Sequence, residues 1–218
     1  MHAHNYGHSI VLIGNFNPKI FHPAWFSAQG LIGKKEEEGA KIEIVHSDLS
    51  LFSADWLSIE VLHDRFKAST TQQPYSDAVR DLVLGTFTIL RHTPLTMMGI
   101  NIEKHFRVNS EDIWHKAGRK LAPKEPWEGL INEPGMLSLT MQGQRSDTYK
   151  GFIRVTAEPS RKVRPGLFFQ VNDHYEAADR GNILGSDEIV SILKASWQTS
   201  CKNADVIISG LYERITTQ

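Results

Sequence analysis

Two stretches of this chain carry the same apolar stripe. Between Ser76 and Thr93 the apolar positions Val79, Leu82, Val83, Phe87 and Leu90 recur at three- and four-residue intervals, the mark of one helical face. Ser76 or Asp77 supplies the N-cap, and Thr93-Pro94 ends the run because proline cannot continue the hydrogen-bond ladder. Ser186 opens a second stripe, Ile189, Ile192, Leu193 and Trp197, and a shift of 110 residues lays one set on the other. The pattern predicts long helices over 76–92 and 186–202. An amphipathic helix has to bury its stripe, so each of these needs a sheet beside it.

Strand-like runs surround both helices. SIVLIGNF (9–16), KIEIV (41–45) and WLSIEVL (56–62) precede the first, and a short helical pattern, PAWFSAQGLI (23–32), and a charged loop, 34–39, lie among them. LTMMGINI (95–102), a capped helix at 110–121, and runs at 135–142, 149–158 and 166–173 precede the second. DRFKA (64–68) falls on DHYEA (173–177) at a shift of 109, and GNFNPKIF (14–21) on GINIEKHF (99–106) at a shift of 85. The growing shift places insertions in the second half, chiefly in the Lys120–Pro134 loop. The reading is an α+β chain, mostly antiparallel. A strand–helix–three strands–helix unit is used twice, over 1–93 and 94–218, in one compact pseudo-two-fold domain. DVIISGLYERI (205–215) reads equally as a last strand or a helical extension. That order of elements resembles the saddle of the TATA-binding protein, a likeness of topology that carries no function.

Composition narrows the classes. Twenty-four Lys and Arg against 25 Asp and Glu leave a net charge of −1, so the chain is not a polycation built to coat nucleic acid. The single cysteine, Cys201, forms no intrachain disulfide and reads as a small hydrophobe on its helix stripe. Neither a secretory signal nor a membrane-spanning apolar run is seen, which points to a cytoplasmic protein without membrane partners. No nucleophile elbow, P-loop, dinucleotide fingerprint or zinc-protease motif occurs, so no catalytic residue, metal or cofactor is assigned.

Histidines and clustered bases are the remaining candidates for a site. His2, His4 and His8 crowd the N-terminus and read as a tail. His63-Asp64 and Asp173-His174 look like acid–base dyads, but neighbours on a strand point to opposite faces, and a turn or cap role fits better. From Lys104 to Arg164 twelve bases face seven acids. Arg145 and Lys150 flank one hairpin and Arg161, Lys162 and Arg164 another, an expected patch for an anion or an acidic partner if the tips converge. The segment Phe21–Ile32 is apolar enough to dock, and Phe21, Trp25, Phe26 and Leu31 are the expected contacts of a homo-oligomer or obligate complex.

VLHDRF (61–66), the helix after it, and ILRHTPLTMMGINIEKHF (89–106) resemble a sporadically distributed family of uncharacterised bacterial proteins from mobile or defence-associated gene neighbourhoods. The likeness covers under half of the chain and implies a context, antiviral defence, with no catalytic position. The expected function is a non-catalytic interaction or scaffold subunit that binds a protein or itself. A nucleic-acid-binding module using the basic hairpins, and a histidine/carboxylate enzyme, remain as alternatives.

Overall fold

The computed structural model describes residues 3–179, 181 and 184–217. The strands are β1 (Asn5–Gly14), β2 (Lys41–Val45), β3 (Leu49–Ser53), β4 (Ser58–Leu62), β5 (Arg65–Thr70), β6 (Leu95–Arg107), β7 (Leu139–Gln144), β8 (Lys150–Pro159) and β9 (Gly166–Glu176). The helices are α1 (Pro23–Ala28), α2 (Lys34–Glu38), α3 (Ser76–Ile89), α4 (Glu111–Leu121) and α5 (Asp187–Thr216). All nine strands form one antiparallel sheet in the order β2-β3-β4-β5-β1-β6-β9-β8-β7.

Alternation decides which face is covered. Ile10 and Leu12 on β1, Phe66 and Ala68 on β5, Met98, Ile100 and Ile102 on β6, and Phe169 and Val171 on β9 are all buried. They point to one face, where α1, α3, α4 and α5 pack. One core gathers Phe21, Phe26, Phe52, Phe66, Phe87 and Trp197 beneath α1, α3 and the start of α5. A second gathers Phe106, Leu167, Phe169, Ala204 and Ile208 beneath α4 and the rest of α5. α2 rests on α1. No helix among the described residues is long and apolar enough to cross a membrane.

The structure departs from expectation where periodicity is silent. Two strands, β3 and β5, fall outside the expected runs, so four strands rather than three lie between β1 and α3 in the first half. The 34–39 loop contains α2. The 205–215 segment is helix, and α5 runs on as a single 30-residue element, because Ala204, Ile208 and Ile215 bury on the second core. His63 and Asp64 do occupy a turn, between β4 and β5, whereas Asp173 and His174 lie in the middle of β9.

Candidate interaction surface

Among the described residues the other face of the sheet carries no helix, and a single row crosses it. Following the register strand by strand, Lys41, Ser53, Ser58, Ser69, Ser9, Asn101, Asn172, Arg154 and Gln142 stand side by side. Every strand contributes one member, and every member is polar. Asn172 Nδ2 donates to Asn101 Oδ1 at 2.7 Å, and Arg154 donates to Gln142 Oε1 at 2.8 Å. Ser9 and Asn101, at the middle, are each only 9 % exposed, while Lys41, Arg154 and Gln142 toward the ends are open to solvent.

Flanking rows add aromatic and charged groups. His174 stacks on Phe152 with ring centroids 4.3 Å apart, and Arg154 lies over the same Phe152 ring. Gln170 donates to Glu103 at 2.8 Å, and Arg65 pairs with Glu60. By register the face carries Lys41, Arg65, Lys67, Arg107, Lys150 and Arg154 against Glu60, Glu103, Glu158 and Glu176, six bases interleaved with four acids. Both signs alternate across the strands and form no basic stripe. The mixture suits hydrogen-bonded recognition better than attraction to a phosphate chain, which needs a large excess of bases.

The expected basic patch is divided. Arg145 and Lys150 flank the β7–β8 hairpin, and Arg161, Lys162 and Arg164 sit in the β8–β9 hairpin, so the two groups lie at opposite ends of β8 and do not converge. Arg145 also turns inward. Its guanidinium, 5 % exposed, pairs with Asp173 and Asp147 and lies 3.8 Å from the centre of the Tyr175 ring. Tyr175 donates to Asp173 Oδ2 at 3.1 Å, and its hydroxyl lies 2.8 Å from Ser200 Oγ. Burial acts to lower the Arg145 pKa, but the hydrogen bond to Asp147 and the charge of Asp173 outweigh it and the net shift is upward. Arg145 also holds Asp147 below the usual carboxylate range. This is an internal tie between a hairpin, β9 and α5. Lys150 Nζ is occupied by the Ala178 carbonyl, while Arg161, Lys162 and Arg164 are exposed.

Phe21 and Phe26, 1 % and 0 % exposed, belong to the chain's own core, and Trp25 and Leu31 are half-buried against it. Ser50 ties this segment down by donating to the Phe21 carbonyl.

The histidines are dispersed. His63 Nε2 lies 3.1 Å from Asp48 in an exposed pair, and hydrogen bonding to Asp48 raises the His63 pKa. His8 lies beneath the helices, its Nε2 2.6 Å from Tyr6 Oη and its ring edge-on to Trp197. Burial pushes the His8 pKa down to about 4 and that of Tyr6 up to about 12. Cys201 is half-buried, its thiol pushed up to about 12 by burial, which keeps it a poor nucleophile at neutral pH. Among the described residues no three His, Cys, Asp or Glu side chains gather in a way that would hold a metal; His2 lies outside the described residues. Sequence reasoning missed the polar row, since its members alternate with core residues and only the strand register lines them up.

No family model matches the chain, and no curated protein matches its sequence.

Proposed function

We propose that this protein is a non-catalytic interaction subunit of a cytoplasmic bacterial assembly, and that its partner docks on the helix-free face of the sheet. The observation that carries this reading is the unbroken polar row from Lys41 to Gln142. A one-sided sheet of nine strands is a rigid platform, and hydrogen-bonding side chains at fixed spacing on it supply specificity without a cavity.

The finer architecture we infer is a duplicated, saddle-like unit. β1 and β6 pair at the centre, and the order outward is β5-β4-β3 on one side and β9-β8-β7 on the other, with β2 as an extra strand. Each half then ends in a long helix on the same face, α3 and α5. The antiviral setting rests on the resemblance carried by residues 61–66 and 89–106 alone.

The test is capture from the source cells with tagged protein. Wild type retains a partner protein, and Lys41→Glu with Arg154→Glu, both exposed members of the row, loses it while keeping the wild-type melting curve. Retention of the partner by the double variant contradicts the reading. The exposed Arg161, Lys162 and Arg164 support the nucleic-acid alternative. That alternative predicts tight, steeply salt-dependent binding of a labelled oligonucleotide.

A further inference from the structure

The two edges of the sheet are guarded differently. β2 carries a bulge between Ile42 and Ile44 and the charges of Lys41 and Glu43, devices that discourage strand pairing. β7, with the sequence LTMQGQ, has no charge, no proline and no bulge in its pairing with β8, and its outer edge is unpaired. Exposed apolar side chains collect beside it. Met141 is 62 % exposed, Leu137 88 % and Val206 63 %. On the helix side, a groove of about 430 Å³ runs between β7–β8 and the C-terminal part of α5, lined by Leu139, Met141, Val155, Val206 and Leu211 among others.

We infer that β7 pairs with β7 of a second copy, making one sheet across a two-fold dimer. Three features select a second copy as the occupant. An uncharged strand is electrostatically matched by another uncharged strand, whereas β2 would bring Lys41 and Glu43. A two-fold normal to the sheet makes the new pair antiparallel, like every other pair in it, and keeps the helices of both copies on one side, so the two grooves merge. A same-sided contact of β2 with β7 would instead be parallel, because nine antiparallel strands leave the two edges running in the same direction.

The third feature is self-complementarity. Facing residues in an antiparallel pair share a face, so the axis passes through a residue; of the two central residues of β7, Met141 and Gln142, Met141 is the one whose self-contact buries exposed apolar surface. Met141 then meets the partner's Met141, Thr140 meets the partner's Gln142, and Leu139 meets the partner's Gly143. Nothing lies within 4 Å of where a Cβ on Gly143 would sit, which leaves room for the leucine. The polar row of each copy continues into that of the other through Gln142.

Charge at the axis tests this. Wild type sediments at micromolar concentration as twice 24.6 kDa. Met141→Glu and Met141→Lys each sediment as monomers, because like charges meet across the axis, and an equimolar mixture of the two restores the dimer. Far-UV circular dichroism of the variants matches wild type, since Met141 is exposed. A monomeric wild type overturns the inference, as does a dimer that survives Met141→Glu. So does a mixture that stays monomeric, or a dimer lost with Ile42→Glu on the other edge. These outcomes are independent of whether a different protein docks on the helix-free face.

Discussion

The indole Nε1 of Trp197 donates to Oδ1 of Asp77 at 2.7 Å, joining α5 to the first turn of α3. Trp197 is 2 % exposed and has this one polar atom to satisfy, so Asp77 lets a large apolar side chain seal the seam between the two long helices without stranding its N–H. Asp77→Ala therefore lowers stability by about 1–3 kcal/mol. Asp77→Asn, whose amide oxygen still accepts, costs less. Urea unfolding followed by tryptophan fluorescence measures both.

Arg145 and Asp173 make the stronger case for an internal role. Each side chain is 5 % exposed, so removing one leaves the other charged and buried. Arg145→Met or Asp173→Leu alone is expected to cost about 3–5 kcal/mol, and the double variant less than the sum of the two. A double-mutant cycle in urea reads the coupling. Equal and small losses in the two single variants would show that the pair is solvated.

His8 makes stability depend on pH. Its pKa is about 4 in the folded chain, with desolvation as the main cause, against 6.5 for the ordinary group. Protonation thus favours the unfolded state. The contribution of neutral His8 is complete above pH 6.5 and is lost as pH falls toward about 4, on the order of 3 kcal/mol across that window. Asp205 and Asp77 oppose the shift and Lys104 reinforces it. His8→Phe should flatten the stability profile between these pH values, measured as melting temperature in matched buffers. An unchanged slope would exclude His8 as the cause.

The β8–β9 hairpin is expected to behave as a secondary contact. Arg161→Glu with Lys162→Glu changes unfolding free energy by less than about 0.5 kcal/mol, because both side chains are exposed. It weakens binding of the captured partner most at low ionic strength. Identical binding at low and high salt would show that these bases are only solvated.

The stripes of α3 and of the first half of α5, and the sense of the sheet, were legible because periodicity reports burial directly. Val79, Leu82, Val83 and Phe87, and Ile189, Ile192, Leu193 and Trp197, are all core residues. β3 was missed because Leu49–Ser53 reads as five residues of mixed leucine, serine and phenylalanine, and β5 because RFKAST mixes charge with small residues. Their pairing energy comes from neighbouring strands, which local sequence does not encode. Arg145 looked like a surface base beside a hairpin. Only the fold reveals that Asp173, 28 residues later, waits beneath it. Phe21 and Phe26 suggested docking because a strongly apolar segment looks the same whether it is covered by its own chain or by another. The polar row was the least legible feature, since it is a property of eight pairings at once.

Site-directed photo-crosslinking in the source cells tests the central claim most directly. A photoreactive side chain is placed at Lys41 or Arg154 on the helix-free face, or at exposed Lys194 on α5 as a control. Adducts with one partner protein are expected from positions 41 and 154 and none from 194. Adducts confined to position 194, or none from the sheet face, would contradict the claim.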